Sequence, residues 1–546
     1  MIKIILVLVT IMTVIILVSD FISDYRTRKR LRYEWNHNTR RRKARDSDSS
    51  LYASFQINKE NKPYDYLVND QTWSDLDLQD LFRKIDISTS SLGAEFLFSK
   101  MRLIDKKFDS KFEEMKEYVV NNADERVELQ LLFSKLGKSN YNNASSFVVS
   151  KATKKENYFL YLCLGIFPII CLIIALFNST LGLSLLLFSV SINIIVYFTT
   201  QYTRKNNMDS LEYLVKSIYI ARKLTKYNFP GKDELAKANK NFKIVSRLGF
   251  FFRDKGGISE TDILFEYINI MFMLPNIAAS YIPNKVHANA SDAQLIIDIM
   301  SKLEAAISLA HYENTLAYYC QPQFVSEKAV LGTDLYHPLV DGAVANDANF
   351  SKNMIISGDN ASGKSTYLRT VAISLITSQT LNIAFASNLS VSYGNVMSSM
   401  GVSDSIETGD SYFISESKSI KRMLKALGQN DFSYFFIDEL FKGTNTIERI
   451  GSGIGILNWL EDKNCIYMVS SHDVELVELM SKSIDSYHFD SQYENKKIIF
   501  DYKIKKGSAI TKNAVNTLES LNYPDEITSM SKKVIKNYER NHKWEV

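Results

Sequence analysis

The chain has little cysteine: Cys163, Cys171, Cys320 and Cys465 in 546 residues, at no paired spacing, two of them inside apolar runs. That excludes a disulfide framework and a cysteine-based zinc site. Internal repeats and low-complexity linkers are also missing. Net charge is small, +4 from 65 basic and 61 acidic residues. Ten basic residues against one acid, Glu34, fall between Arg26 and Arg45, so the remainder of the chain is net acidic. Its body is therefore not a broadly basic nucleic-acid surface. What the chain does have is apolar content, 46% of residues, enough for real cores. At this length there is room for about two to four domains.

Three apolar blocks stand out. Ile2 to Val18 is interrupted only by Lys3 and two threonines. It is about the minimum length of a membrane span. No small-x-small cleavage site follows it, so an uncleaved anchor is expected rather than a signal peptide. The Arg26–Arg45 cluster follows, which places that side in the cytoplasm and the N-terminus outside. The cluster is either a topology signal or a contact for anionic lipid headgroups. Tyr158 to Phe177 and Leu181 to Tyr197, separated by Asn178-Ser179-Thr180, read as a transmembrane hairpin. Lys151, Lys154 and Lys155 on one flank and Arg204 and Lys205 on the other put both flanks in the cytoplasm. Tyr267 to Pro283 is also uncharged, but Pro275 breaks it, and it reads as a core helix rather than a fourth span. Residues 51–156 and 201–330 carry apolar residues at helical spacing, such as Leu78, Leu81, Phe82 and Ile85, and predict a mostly helical part.

The chemistry is concentrated further on. Gly358-x-x-x-x-Gly363-Lys364-Ser365 is the full phosphate-binding loop pattern. Asn353 to Ser357 reads as a buried strand before it, and Tyr367 to Ile376 as a helix after it. Glycines let backbone N–H groups turn toward phosphate oxygens, and the helix N-terminus favours an anion. Lys364 is expected on the β- and γ-phosphates of ATP and Ser365 on Mg²⁺. A second apolar strand, Tyr434 to Ile437, ends in Asp438-Glu439. Asp438 is expected to hold Mg²⁺, and Glu439 to orient or deprotonate the attacking water. A third, Cys465 to Val469, ends in Ser470-Ser471-His472-Asp473, which places His472 to sense the γ-phosphate. From about Tyr336 strands and helices alternate, predicting an α/β layer with a largely parallel sheet.

These motifs resemble the MutS family of mismatch-repair ATPases. Gly358-Asp-Asn-Ala-Ser-Gly-Lys-Ser-Thr366 is similar to the family's phosphate loop, with its Asn360 and Ser365-Thr366-Tyr367 run. Asp438-Glu439-Leu-Phe-Lys-Gly-Thr-Asn-Thr446 resembles its D-E-x-x-x-G-T-x-T block. Ser411-Tyr-Phe-Ile-Ser-Glu416 resembles a family loop, which implies that Ser411 reaches a partner subunit's ATP. Tyr336-His337-Pro-Leu339 and Asn346 resemble the segment that cups the nucleotide, and Ser471-His472 the switch histidine. Upstream, Asp70 to Gly93 and Leu303 to Pro322 resemble the ends of the family's helical core. Asp359, Ala361, Tyr412 and Glu448 depart from the family's proline, methionine, threonine and aspartate. No mismatch-reading segment precedes the helical part, and the apolar hairpin stands where the family inserts its DNA clamp.

The resemblance implies an α/β P-loop ATPase domain at residues 331–546, C-terminal to a helical core and lever at 51–156 and 201–330. Residues 1–19 and 157–200 are then transmembrane and 20–50 a basic juxtamembrane segment. It implies ATP and Mg²⁺ as ligands, a homodimer, and DNA as a partner. An ATPase scaffold without DNA is the alternative. A transport ATPase of the ABC kind would need a Leu-Ser-Gly-Gly-like signature before Asp438, and Ser411-Tyr-Phe occupies that region instead.

Overall fold

The computed structural model describes residues 2–37, 46–142, 144–149, 158–248, 260–401, 411–427, 431–494, 497–508, 514–541 and 544. The expected cationic flank at Lys151, Lys154 and Lys155, the Arg40–Arg45 part of the basic cluster, and the side chains of Arg204, Lys205 and residues 1–17 lie outside this description. Two compact units are present. One holds residues 1–62, 85–99 and 108–315; the other holds 63–84, 100–107 and 316–546. The sequence division at 330/331 had assigned 63–84 and 100–107 to the helical part. They join the second unit because Thr72 and Asp75 bond to a strand of its sheet: Thr72 Oγ1 accepts from Ser398 N–H at 3.1 Å, and Asp75 from Ser398 Oγ at 2.7 Å.

The first unit is helical. Its opening helix, Ile2–His37, runs 36 residues through the first apolar block and into the basic cluster. Beyond the apolar part it packs on the helix Ala123–Leu136, with Leu31 against Val127 and Leu131. Arg28 pairs with Glu128 at 2.5 Å, Arg32 with Asp124 at 2.9 Å, and Lys135 with Asp24 at 2.6 Å. Arg28 and Arg32, two members of the basic cluster, thus have acidic partners on the same unit, while Arg32 and Asp124 remain exposed. Trp35 lies under the Arg126 guanidinium, 3.6 Å from the ring centre.

Tyr158–Phe177 and Ser179–Leu224 form the expected hairpin, with Asn178 as the turn. Asn178 caps the second helix by accepting from Leu181 N–H at 3.2 Å. The helices approach so closely that a Cβ on Gly182 would lie 2.3 Å from the Ala175 backbone, so only glycine fits there. Apolar side chains face outward along both: Phe159, Leu176, Phe177 and Leu187 are each more than 70% exposed. The second helix does not stop at the end of its apolar stretch. It continues for 46 residues and delivers Tyr213 into the core, where its hydroxyl accepts from Ser91 N–H at 3.0 Å. The run Tyr267–Pro283 falls in two helices, Glu260–Met271 and Leu274–Ala288, with the break just ahead of the expected Pro275. The break comes at Phe272–Met273, where Met273 has φ +51°, ahead of Pro275.

Around Tyr213 lies a buried polar cluster. Glu304, on the 26-residue helix Ala290–Thr315, accepts from the N–H groups of Thr89 (2.7 Å), Ser90 (2.9 Å) and Gly93 (3.2 Å). Lys138 lies 2.8 Å from Asp46 and 3.8 Å from Asp86. Glu95 accepts from Asn142 at 2.5 Å and Ser54 at 3.1 Å.

The second unit is the α/β part. Its strands are β1 (Tyr66–Leu67), β2 (Leu103–Ile104), β3 (Gln323–Phe324), β4 (Val330–Leu335), β5 (Asn346–Phe350), β6 (Met354–Gly358), β7 (Asn388–Val391), β8 (Asn395–Ser399), β9 (Ser433–Asp438), β10 (Cys465–Ser470), β11 (Asp485–Glu494) and β12 (Lys497–Lys506). The main sheet has the order β12-β11-β6-β10-β9-β8. All its pairs are parallel except β11–β12. The expected parallel layer is therefore present, but β3, β7, β4 and β5 form a separate sheet in which β4 is antiparallel to both neighbours. The central strands are apolar on both faces, as a sheet covered on both sides requires: Phe435, Phe436, Tyr467 and Met468 are fully buried.

Candidate nucleotide site

Three neighbouring parallel strands, β6, β10 and β9, end at one edge, and each ends in a polar loop. Carboxyl ends of parallel strands are where ligands bind in open α/β sheets. After β6, Gly358 and Gly363 take φ +143° and +110°, and between them Ala361 takes +65°. A Cβ on Gly358 would lie 2.8 Å from the Phe489 carbonyl of β11, so the glycine is required by space as well as by angle. The helix Lys364–Leu381 starts directly after Gly363, so its first N–H groups have no partner within the helix. Asn360 and Thr366 are exposed on this loop and Ser365 is half-buried. Ser362 Oγ is buried without a hydrogen-bond partner, and Lys364 Nζ turns back on the carbonyls of Gly358 (2.6 Å) and Asp359 (2.8 Å). Unpaired donors, an orphaned hydroxyl and a lysine resting on the loop fit a phosphate chain. Burial pulls Lys364 down, with Glu439, Asp438 and Asp359 opposing it.

β9 delivers Asp438 and Glu439. Asp438 accepts from Ser470 Oγ at the end of β10. Glu439 has φ +60°, an uncommon conformation for a residue with a Cβ, and its N–H is held by the Ser470 carbonyl at 3.2 Å. Its carboxylate lies 3.1 Å from His472 Nδ1 and 3.0 Å from Lys442 Nζ. Burial alone would raise its pKa; the bonds from His472 and Lys442 outweigh that and hold it at about 2. His472 is correspondingly raised, first by its bond to Glu439. Asp473 is pinned by Arg449 through two bonds of 2.5 and 2.8 Å. Lys364, Asp438, Glu439 and His472 thus share one edge. Ser365 and Asp438 have the chemistry to hold Mg²⁺ beside phosphate oxygens. Among the described residues no group of three or more His, Cys, Asp or Glu forms a metal cluster.

Ser411 lies just before the helix Tyr412–Ala426, at its N-cap position with extended backbone, and is exposed, its side chain making no cap bond. Glu416 on that helix accepts from the N–H groups of Lys442 (3.2 Å) and Gly443 (3.3 Å), which fixes the segment after Glu439. His337 is buried, accepting from Leu339 N–H at 3.3 Å. Burial and the charges of Arg369 and Lys84 lower it to about 4, so it is neutral. No hydrogen bond joins it to the loop. Asn346 accepts from Ile504 N–H at 2.9 Å and donates to the Tyr502 carbonyl at 2.9 Å, so it is tied to β12. Sequence reasoning passed over Tyr502 and Phe489, whose rings lie 3.3 and 3.7 Å from where a Gly363 Cβ would be. It also passed over Lys442, although a lysine three residues after Glu439 was a readable signal.

The strand–loop–helix at β6, with acids on the adjoining strand ends, defines a phosphate-loop nucleotide-binding fold. A family model described as MutS domain V matches residues 354–539. MutS protein homolog 4 of Homo sapiens is 30% identical over 255 residues, 43% of this chain and 27% of that protein. DNA mismatch repair protein MSH3 of Saccharomyces cerevisiae is 28% identical over 302 residues, 52% and 29% of the two chains. DNA mismatch repair protein MutS of Caldicellulosiruptor saccharolyticus is 26% identical over 274 residues, 47% and 31%. The C-terminal half of this chain belongs to the MutS family. The chain spans under a third of the length of these relatives.

Proposed function

We propose that this protein is a membrane-anchored, MutS-like ATPase that binds and hydrolyses ATP where two copies of its C-terminal half meet, and couples that cycle to DNA binding. The observation that carries the reading is the convergence of Lys364, Asp438, Glu439 and His472 at the ends of β6, β9 and β10. Gly358, Asn360, Gly363 and Thr366 shape the phosphate cradle, and Lys364 leaves the loop carbonyls for phosphate oxygens when ATP enters. Ser365 and Asp438 would hold Mg²⁺, which would supply charge neutralisation at the phosphates when bound. Glu439, ionised and held near 2, is a weak base; its role is to orient the attacking water rather than to take its proton early. His472 bonds to Glu439 and reports the state of the γ-phosphate. Ser411, exposed on a helix start that is tied to Gly443, is presented to the partner copy's nucleotide. His337 and Asn346 support the far side of the pocket.

Membrane attachment rests on two helices, Tyr158–Phe177 and Ser179–Thr200, each long and apolar enough to cross a bilayer and only 22% buried. The helix Ile2–His37 supplies a third span, with the ATPase half in the cytoplasm. A second reading, an ATP-driven membrane scaffold without DNA, is favoured by the hairpin standing where relatives carry a DNA clamp.

Glu439→Gln tests the chemistry. ATP should still bind, and steady-state hydrolysis should fall by about 10²-fold or more. Unchanged turnover would remove Glu439 from the mechanism. In the same preparation, duplex binding that weakens steeply with salt supports the DNA reading, and absent binding supports the scaffold.

A further inference from the structure

The hairpin is more than two apolar rods. Pro168 interrupts the first helix and has no N–H, which frees the Leu164 carbonyl four residues earlier. The helix Glu260–Met271 ends with orphan carbonyls of its own. Asn193, fully buried on the second hairpin helix, donates to both: to the Leu164 carbonyl at 3.1 Å and to the Met271 carbonyl at 2.7 Å. Gly165 lets the broken segment come close, since a Cβ there would lie 2.4 Å from the Phe272 carbonyl. Tyr161, Tyr197, Ile270 and Met273 pack as one cluster, and Asn276 donates to Thr200 at 2.6 Å.

We infer that Glu260–Ala288 is a re-entrant helical pair whose turn, Met271–Met273, sits within the acyl chains of the cytoplasmic leaflet. This rests on the membrane reading above. Gly165 and Asn193 are each seven residues inside the hairpin's cytoplasmic ends, about 10 Å at 1.5 Å per residue. Broken backbone is tolerated at that depth only where protein groups satisfy it, and the Asn193 amide does so. The nearest acid, Glu266, lies five residues before the turn, about 7 Å back toward the interface, and Lys285 lies beyond it on the other arm. The partner of this surface is therefore lipid, and the second hairpin helix is clamped from the side before it continues into the helical core.

The test uses the full-length chain, its four cysteines replaced by alanine, in phosphatidylcholine–phosphatidylglycerol vesicles. Single cysteines at Phe272, at Leu187 as a mid-hairpin reference and at Tyr523 as an exposed C-terminal reference carry an environment-sensitive dye. Phe272→Cys should be quenched by nitroxides on lipid chains and shielded from iodide, as Leu187→Cys is, with Tyr523→Cys the reverse. Lipid quenching at Leu187 with iodide quenching at Phe272 overturns the re-entrant pair and leaves the anchor standing. Iodide quenching at both overturns the membrane reading itself. Adding Asn193→Leu should move the Phe272 label toward iodide while the Leu187 label stays in lipid; a Phe272 label that does not move removes Asn193 from its clamping role.

Discussion

Two glutamates, one in each unit, have opposite fates. Glu439 sits at the end of β9 among cations and is held at about 2. Glu95 sits in the helical core, where burial, and Asp46 after it, push it up to about 8. Burial opposes charge at both places. What differs is the partner: Glu439 has His472 and Lys442 within 3.1 Å, whereas Glu95 accepts from the neutral donors Ser54 and Asn142 and feels Lys138 less than it feels burial. Charge is retained at Glu439, where chemistry on phosphates needs it, and suppressed at Glu95, where it would only cost desolvation.

The core also keeps buried ionic contacts, Lys116 with Glu313 at 2.7 Å among them, and the one around Lys138 gives the largest expected effect. Lys138 is buried beside Asp46 and Asp86; burial lowers its pKa, and the two carboxylates and Glu304 raise it by more. Lys138→Met strands those acids. The helical unit should lose about 3–5 kcal/mol, the usual cost of breaking a buried pair from one side. Chemical denaturation followed by helix signal checks it. A loss under about 1 kcal/mol would mean that the cluster is wetter than its burial indicates, and the contrast with the sheet edge would fail.

At that edge the expected change is smaller. His472 is raised above the ordinary imidazole value of about 6.5 by Glu439. A raised basic group contributes its stability below the unfolded pKa, and that contribution is lost as pH rises through the folded one. The Glu439–His472 contact should thus be intact at pH 6 and fade above the raised midpoint. Proton NMR of the ring should show that midpoint in the wild type, and a shift down toward 6.5 in Glu439→Gln. An unmoved midpoint would separate the two residues.

The contrast was half legible in the sequence. Gly358, Gly363, Lys364, Ser365, Asp438, Glu439 and His472 could be read because each falls at the end of an apolar strand in a short local pattern. The strand positions followed from the same patterns to within a residue. Lys442 was readable by spacing and was passed over. The core cluster could not be read. Asp46, Glu95, Lys138, Tyr213 and Glu304 are scattered over 258 positions, and only packing brings them together. The break at Met273 was readable from Pro275, which has no N–H to give the Met271 carbonyl four residues earlier; what could not be read is that Asn193, 78 residues away, satisfies that carbonyl. The resemblance marks Ser411–Glu416 as a loop, and what it does not show is that a helix starts at Tyr412 and is tied through Glu416 to Lys442 and Gly443.

The last expected effect sharpens the comparison most. Because Glu95 is neutral in the folded protein up to about 8 and ionises near 4.5 when unfolded, the folded state binds the extra proton between those values. By linkage, this residue lowers stability progressively as pH rises from about 4.5 toward 8. Glu95→Gln keeps the shape and an acceptor for Ser54 or Asn142 while removing the titration. Its stability should match the wild type near pH 5 and exceed it at pH 8, with the gap opening steadily between. Denaturation midpoints across that range measure it directly. If the two curves stay parallel, Glu95 is charged in the core at neutral pH, and Lys138 rather than burial governs the cluster.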